Sequence, residues 1–401
     1  MKWIDRPYYL ERLWKWRDKS PIKVITGIRR SGKSVLLQMF QERLVSSGIG
    51  TDQIVALNFE HPDIPNFQNW REVWNWIKPR LQDGKTTYVF LDEVQRVPEF
   101  EKLLDGLQML GTCDIYMTGS NAYLLSGDLA TYISGRYVEI AMQPLSFKEY
   151  CAAQNASGDF ARHYADYLRG SSFPYALSLG GDMDLVGDYL DGIYNTVLVK
   201  DVLTRKQRTD ATLVDRTARF LFDNIGNVTS LRNIANVLSS HGLKTNGNTV
   251  DGYVDALCDA FLFRRVQRYD IHGKDILSGG CKYYASDVGM RYRLSGHHAG
   301  DTGRVLENIV FLELLRRSNN VMVGQHGGKE VDFVTRDGGN VHYYQVAESV
   351  RDEKTREREY APLRSIRDHF PKMLITLDED PPMNTDGIRQ VNAYRFLLGE
   401  D

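Results

Sequence analysis

Cysteine is scarce in this chain, and its few cysteines are far apart. None of them forms the C-x-x-C pair that structural zinc sites use. The four residues are Cys113, Cys151, Cys258 and Cys281. The sequence therefore predicts neither a zinc site nor a disulfide framework, and it fits a reducing compartment.

A long apolar segment is also missing. No stretch approaches the run of about 18 apolar residues that crosses a bilayer, and residues 1–20 hold no apolar core of a signal peptide. We therefore expect a soluble, cytoplasmic protein that is not associated with a membrane.

The chain has no excess of charge of one sign. Its 401 residues include 50 basic and 52 acidic side chains, which gives a formal net charge of -2. A nucleic acid would therefore be attracted only by a local basic patch. An apolar content of 42% in a chain of this length predicts a globular protein with sizeable cores.

The strongest motif is Gly27-x-x-x-x-Gly32-Lys33-Ser34, which lies between a β-branched run and a segment with helical periodicity. Such a loop turns backbone N–H groups toward phosphate oxygens, while the lysine reaches the β- and γ-phosphates and the serine ligates Mg²⁺. The sequence thus predicts a site for ATP and Mg²⁺. The predicted nucleotide-binding residues of the loop are Gly27, Ile28, Arg29, Arg30, Ser31, Gly32, Lys33, Ser34 and Val35. For the two arginines the alternatives are a clamp on the nucleotide, a clamp on a partner domain, and a solvent-facing position.

A second motif, TTYVFLDEVQ, reads as a buried strand that ends in Asp92 and Glu93. Groups at this end of a parallel strand lie at the edge of the sheet where ligands bind. Asp92 is predicted to support Mg²⁺ together with Ser34, and Glu93 to activate the attacking water. The strand-like run IVALNFE lies between the two motifs, as in NTPases that carry a catalytic glutamate.

Two further elements are candidates for contact with the γ-phosphate. Thr118, Ser120 and Asn121 end another strand-like run, and Ser120 or Asn121 is favoured as the residue that senses the nucleotide, with a plain polar strand end as the alternative. Arg136 precedes the last strand of the predicted sheet. It either reaches the nucleotide of a neighbouring subunit in a homo-oligomer or is an ordinary surface or paired arginine.

The motifs VITGIRRSGKS, FLDEVQRVPEFE and TGSNAYLLSG, followed by KYYASDVGMR and EVDFV, resemble prokaryotic AAA-type ATPases with a C-terminal domain of unknown function. The resemblance covers nearly the whole chain. It implies an α/β fold with a parallel P-loop sheet, followed by helical, winged-helix-like and restriction-endonuclease-like parts. The expected domains are 1–145 (ATPase), 146–215 (helical lid or connector), 216–275 (winged-helix-like) and 276–401 (restriction-endonuclease-like).

Residues 227–265 predict a helix-turn-helix in which Ser230 or Thr229 caps the first helix and Gly242 ends it. The second helix carries an acidic stripe that DNA phosphates would repel. The stripe consists of Asp251, Asp255 and Asp259. Base reading by this helix is therefore disfavoured. The alternatives are a basic wing on the DNA backbone, formed by Arg264, Arg265 and Arg268, and a protein-docking or intramolecular role.

The resemblance to a restriction-endonuclease-like fold aligns Glu307 on a helix, Asp332 on one strand of a hairpin and Gln345 on the next. Their oxygens are suited to Mg²⁺, which activates water for attack on phosphate. Alanine stands at position 347, where such a site has a lysine that stabilises developing charge. A vestigial metal site is therefore favoured over an active nuclease, which would need Lys329 or Lys354 to reach in.

The sequence thus predicts a Mg²⁺-dependent ATPase, associated with branched or duplex DNA, whose nuclease-like domain does not cleave. Two alternatives stay open. One is an ATP-driven switch or scaffold that binds proteins through the acidic helix, and the other is an active metal-dependent nuclease.

Overall fold

The chain forms two units, one around a parallel sheet and one around a mixed sheet. The computed structural model describes residues 3–122, 135–203, 210–277, 279–296 and 300–400. The first unit comprises Met1–Pro144 and Asp259–Phe261, and the second Leu145–Cys258 and Leu262–Asp401. Within the described ranges, every helix is too short or too polar to span a lipid bilayer.

Five parallel strands make up the sheet of the first unit, in the order β2-β3-β4-β1-β5. They are β1 (Ile22–Thr26), β2 (Ile54–Asn58), β3 (Thr87–Asp92), β4 (Cys113–Gly119) and β5 (Tyr137–Ala141). The predicted α/β class and parallel sheet are confirmed. β2 follows β1 in the chain, as the motif order indicates, and it lies at the edge of the sheet, whereas β4 separates β1 from β3.

Helices cover both faces of this sheet because its buried strands are apolar on both sides. They are α1 (Pro7–Trp16), α2 (Lys33–Ser46), α3 (Trp70–Ile77) and α4 (Phe100–Met109). Side chains alternate along a strand, so Val89 packs in the core with α3 and α4, whereas Phe90 packs in the core with α1 and α2. The sheet thus holds the ends of β1, β3 and β4 at one edge, where the nucleotide motifs lie.

The second unit contains ten helices among the residues that the structure describes. They are α5 (Phe147–Ala153), α6 (Phe160–Gly170), α7 (Met183–Thr196), α8 (Ala211–Asp223), α9 (Leu231–Ser240), α10 (Gly247–Asp259), α11 (Val288–Ser295), α12 (Thr302–Arg317), α13 (Glu353–Ser365) and α14 (Ala393–Leu398). Residues 204–209 of the predicted connector lie outside the described ranges. The Ser230 side chain caps α9 by accepting from the Asn233 N–H, and Gly242, at a φ of +84°, lies just beyond that helix.

Two sheets complete this unit. One has eight strands in the order β14-β15-β13-β12-β11-β10-β7-β8, and the other pairs β6 with β9. The strands are β6 (Phe263–Val266), β7 (Arg268–Asp270), β8 (Asp275–Ile276), β9 (Lys282–Ala285), β10 (Val321–His326), β11 (Lys329–Asp337), β12 (Asn340–Ala347), β13 (Lys372–Thr376), β14 (Met383–Thr385) and β15 (Ile388–Asn392).

Strand pairing crosses the expected boundary between residues 275 and 276, which stays a prediction. β7 precedes it and belongs to the eight-stranded sheet, β8 spans it in the same sheet, and β9 follows it but pairs with β6. Pairing partners that are distant in the chain thus connect the two segments. The division of the chain after Pro144 into separate domains stays a prediction.

Candidate functional site

The phosphate-binding loop joins the end of β1 to the start of α2. Gly27 has a φ of +144°, and a Cβ on it would lie 2.1 Å from the Met142 carbonyl oxygen. Gly32 caps α2 with a φ of +98°. Both positions need glycine, because side chains disfavour these backbone angles and, at Gly27, the neighbouring strand leaves no room. The sequence motif therefore corresponds to a tightly turned loop in front of a helix N-terminus.

Lys33 lies inside this loop, with 5% of its surface exposed. Its ammonium donates to the carbonyl oxygens of Gly27, at 2.9 Å, and Ile28, at 3.2 Å. Both of these partners are uncharged, and the charge of Lys33 also acts on the nearby Asp92 carboxylate. The position is the one from which a lysine reaches phosphate oxygens in such loops.

Asp92 and Ser34 meet at the end of β3. The Thr118 hydroxyl donates to the Asp92 carboxylate over 2.5 Å, and the Ser34 hydroxyl also hydrogen-bonds this carboxylate. Burial raises the pKa of Asp92 above its ordinary value, although these hydrogen bonds and the charge of Lys33 act in the opposite direction. A hydroxyl and a carboxylate side by side are the oxygen ligands that Mg²⁺ accepts alongside phosphate and water.

Glu93 is buried directly after Asp92, in the left-handed backbone region at a φ of 56°. Its backbone N–H donates to the Thr118 hydroxyl over 2.9 Å, and its carboxylate accepts from the Gln95 side-chain amide over 2.5 Å. Thr118 thus links the backbone of Glu93 to the side chain of Asp92. The sequence pattern instead favours Ser120 and Asn121, which follow Thr118 in the chain.

Those neighbours, Ser120 and Asn121, are both buried at the end of β4. Among the described residues, the hydroxyls of Ser120 and of Ser31 in the loop are buried without a hydrogen-bond partner. Unsatisfied buried hydroxyls cost free energy, so they are expected to meet a ligand or ordered water. Their presence in the loop and at the neighbouring strand end fits a phosphate-bearing ligand.

The remaining loop residues have different environments. Ile28 is buried and Val35 is half-buried. Arg30 is exposed and has a φ of 66°. The Arg29 guanidinium lies 3.7 Å from the Glu60 carboxylate, which also pairs with Arg96 over 2.5 Å. Arg29 is therefore attached to the end of β2 within the first unit.

Arg6 is a site residue that the sequence analysis missed. It is 3% exposed, and its guanidinium donates to the backbone oxygens of Ser31, at 3.1 Å, and Gln143, at 2.7 Å. It thereby ties the phosphate-binding loop to the segment that follows β5. A single arginine before Pro7 gives no local signal of this role, since its partners are distant in the chain.

Arg136 lies beside the start of β1, because Tyr137 pairs with Ile22 and the Arg136 carbonyl accepts from the Ile22 N–H. The phosphate-binding loop follows the other end of that strand. The guanidinium lies 2.9 Å from the Asp105 carboxylate on α4. Arg136 therefore belongs to the opposite edge of the sheet from its own nucleotide motifs.

Comparison with known proteins agrees with this geometry. Residues 19–151 match the family described as "AAA domain", and residues 161–301 match a domain of unknown function, DUF8612. An uncharacterised protein of Haemophilus influenzae is 37% identical over 399 residues, which cover 98% of each chain. The chain belongs to the same family as this uncharacterised protein, and its residues 19–151 form an AAA domain.

More distant similarities were also found. Uncharacterised protein MJ1544 of Methanocaldococcus jannaschii is 28% identical, covering 84% of this chain and 77% of its own. The Walker-type ATPase paby2304 of Pyrococcus abyssi matches 73% of this chain and 96% of its own, with 16% identity and a TM-score of 0.47. AMPPCP-bound DnaA of Aquifex aeolicus matches 64% of this chain and 92% of its own, with 15% identity and a TM-score of 0.28.

The acidic helix α10 is partly neutralised by an arginine of the same unit. Arg265, on β6, lies 3.1 Å from the carboxylates of both Asp251 and Asp255. Asp259, the third acid of the stripe, ends the helix. Arg268, another arginine of the predicted wing, hydrogen-bonds Gln325 on β10. These contacts favour an intramolecular role over a free acidic surface or a free basic wing.

The predicted nuclease residues come together in the second unit, but around a lysine that the sequence analysis did not single out. Lys282, on β9, is 3% exposed at its side chain, and its ammonium lies 2.8 Å from Glu307 and 2.7 Å from Glu330. Asp332, on β11, is 4.0 Å away. The Tyr284 hydroxyl donates to the same Glu307 oxygen over 2.6 Å. Lys282 is the first residue of the motif KYYASDVGMR. A lysine at the start of an apolar strand was the feature of the sequence that could have identified it.

Gln345 and Ala347 lie on β12, as the hairpin pattern indicates. The Gln345 amide donates to Glu359 on α13 over 3.0 Å, and the Val346 N–H donates to Asp332 over 2.8 Å. Ala347 packs in the apolar core of the sheet. Burial and the nearby Glu307 carboxylate raise the pKa of Asp332 well above its ordinary value.

An active nuclease would have needed Lys329 or Lys354 to reach into this cluster. Lys329 and Lys354 are both exposed, on β11 and α13. Over the parts of the chain that the structure describes, no group of three or more His, Cys, Asp or Glu side chains is arranged to hold a metal ion.

Proposed function

We propose that this protein is a Mg²⁺-dependent ATPase. Lys33 and the backbone of residues 27–35 hold the phosphates, with Ser31 and Ser120 donating from their buried hydroxyls. Ser34 and Asp92 hold Mg²⁺, which supplies charge stabilisation to the phosphoryl group when bound. Glu93 accepts a proton from the attacking water, and Asn121 contacts the γ-phosphate.

The observation that carries this proposal is the meeting of Lys33, Ser34 and Asp92 beside buried hydroxyls without partners. Three separate chain segments contribute to the arrangement, and each supplies a group of the type that a polyphosphate with Mg²⁺ needs. The hydrogen bond from Gln95 to Glu93 supports a resting position for the base, from which it is released when water and nucleotide are in place.

The test is ATP binding and turnover by Lys33→Ala. Removal of the ammonium is expected to abolish tight ATP binding and, with it, hydrolysis. Lys85→Ala is the matched control, since Lys85 is exposed in a turn of the same unit. Unchanged ATP affinity in Lys33→Ala would overturn the proposal.

Arg136 is proposed to act on the nucleotide of a neighbouring copy, because it lies at the edge of the sheet away from its own loop. A mixing experiment tests this. Arg136→Ala and Lys33→Ala are each expected to be inactive, whereas their mixture regains part of the activity through sites that combine an intact loop with an intact arginine. A mixture without activity would refute action between subunits.

For the second unit we propose a winged-helix-like segment and a nuclease-like sheet that does not cleave, with DNA as the effector of ATP turnover. Helices α9 and α10 followed by the β6–β9 pair support the first, and Glu307, Asp332 and Gln345 at corresponding positions of a helix and a hairpin support the second. ATP turnover with and without single-stranded, duplex and branched DNA tests the effector. Turnover that no DNA alters would favour the protein-binding switch instead.

A further inference from the structure

The acid cluster of the second unit, defined as Glu307, Glu330 and Asp332, surrounds one buried lysine. We infer that the ammonium of Lys282 is a built-in cation that takes the place of a divalent metal ion in this cluster, so that the cluster binds neither Mg²⁺ nor Mn²⁺. The inference concerns the second unit alone and does not depend on ATP hydrolysis in the first.

The position of the ammonium supports this inference. Lys282 is 3% exposed and lies 2.8 Å from Glu307, 2.7 Å from Glu330 and 4.0 Å from Asp332. An ammonium is a compact positive charge with three donors, so one lysine suffices to bind two carboxylates directly and face a third. The centre of the cluster, where a metal ion would contact these oxygens, is therefore occupied by the nitrogen.

The charge on that nitrogen is maintained by the acids around it. The Lys282 ammonium has the carboxylates of Glu307 at 2.8 Å, Glu330 at 2.7 Å and Asp332 at 4.0 Å, and such partners favour the charged form of a buried lysine. A divalent cation that entered the cluster would meet this positive charge at short range, and the interior screens such repulsion weakly. The lysine thus both neutralises the acids and repels a metal ion.

The other potential ligand atoms are engaged within the protein. The Val346 N–H donates to one Asp332 oxygen at 2.8 Å. The Gln345 amide oxygen accepts from the Asp332 N–H at 3.4 Å, and its nitrogen donates to Glu359 at 3.0 Å. Metal binding would require several of these contacts to break, which adds to the electrostatic cost.

Lys282 therefore supplies a positive charge to the cluster, although alanine stands at position 347, where a nuclease site has lysine. Glu307 and Asp332 are buried acids, and buried acids without a cation are strongly destabilising. Lys282, on β9, balances the negative charge of these acids, while Ala347 packs in the apolar core of the sheet. The ion cluster thus accounts for the presence of these acids in a domain that is proposed not to cleave DNA.

Binding of Mn²⁺ to the full-length protein without nucleotide tests the inference, measured by electron paramagnetic resonance. The number of bound ions is compared between the wild type and Asp332→Asn, which leaves the Ser34–Asp92 position intact. We expect the same number in both. A site at millimolar Mn²⁺ or below that is present in the wild type and lost in Asp332→Asn would overturn the inference.

A second variant tests the reverse. Lys282→Ala opens the cluster, so Mg²⁺ or Mn²⁺ is expected to raise its thermal midpoint by several degrees, an effect that Lys282→Ala/Asp332→Asn loses. Lys329→Ala, an exposed lysine on β11, is the matched control and should resemble the wild type. If Lys282→Ala folds equally well without metal and gains no site, the lysine does not replace a cation. Should it fail to fold without metal, refolding in Mn²⁺ but not in chelator supports the inference, and failure in both contradicts it.

Discussion

Lys33 and Lys282 are both buried lysines beside acidic strand residues, yet their partners differ in charge. Lys33 donates to two backbone carbonyls, which are neutral, whereas Lys282 contacts two carboxylates directly. Carbonyls orient an ammonium and leave its charge to act on a phosphate. Carboxylates cancel that charge, which turns the lysine into a structural cation.

The acids of the two regions differ in the same way. Asp92 is held by the hydroxyls of Ser34 and Thr118, which can rotate to accept from a metal-bound water or to donate to a phosphate oxygen. Asp332 is held by the Val346 N–H and faces Lys282, neither of which can release it to a cation. The residue type alone therefore does not distinguish a binding site from an ion cluster; the surrounding donors do.

The largest effect is expected at the acid that we assign to catalysis. Glu93→Gln should lower ATP turnover by about 10²- to 10⁴-fold, because an amide does not accept the proton of the attacking water. ATP affinity should be kept, since Lys33 and Ser34 are unchanged. Steady-state turnover and equilibrium binding of ATP check both parts. Glu99→Gln, at an exposed glutamate nearby, is the control. If Glu93→Gln keeps its ATP turnover, Glu93 is not a catalytic acid and does not differ in this respect from the structural acids of the second unit.

A smaller effect is expected from the residue that holds the phosphate-binding loop. Arg6→Met leaves the backbone oxygens of Ser31 and Gln143 without their donor, which should lower the free energy of unfolding by about 1–3 kcal/mol and weaken ATP binding. Denaturant unfolding and ATP titration measure the two quantities. Lys15→Met, on the exposed side of α1, is the comparison. Loss of stability with unchanged ATP affinity would show that the loop keeps its shape without Arg6.

The smallest effect concerns pH, where the structural lysine should show no change. The pKa of Lys282 is raised by its acids, so its contribution to stability is fully present below the ordinary lysine pKa of about 10.4 and is lost only as pH rises through the higher native pKa. The destabilisation caused by Lys282→Met should thus be equal at pH about 7 and about 10. Urea unfolding of the wild type and of Lys282→Met at each pH gives the difference in their free energies of unfolding. If this difference is smaller at the higher pH, the acids do not hold the ammonium in its charged form.

Much of the nucleotide site was predictable from sequence because its groups are contiguous. Gly27 to Ser34 form one loop whose glycines, lysine and serine have fixed spacing, and Asp92 follows an uninterrupted apolar strand. Arg6 was not predictable, since its partners Ser31 and Gln143 are 25 and 137 positions away. The sequence favoured Ser120 and Asn121 over Thr118 as the residue near the γ-phosphate. The pattern places polar groups at the strand end but does not show which one faces Asp92.

The second unit shows where sequence patterns stop being sufficient. The hairpin pattern placed Asp332, Gln345 and Ala347 on adjacent strands, which the register of β11 and β12 reproduces. Lys329 and Lys354, which an active nuclease would have needed, are exposed, and the lysine that approaches the acids comes from β9. No local pattern shows this, because it follows from how the small β6–β9 sheet and α12 meet.

The amino-acid sequence by itself determined the chemistry of the first unit, because the phosphate-binding loop is a local structure whose backbone angles and charges come from neighbouring residues. Only the tertiary structure decided which buried charges remain available to a ligand. Electrostatic interactions depend on distance and burial in space, so Lys282 becomes the partner of Glu307 and Glu330 through folding alone, whereas folding places the Lys33 ammonium on the carbonyl oxygens of Gly27 and Ile28.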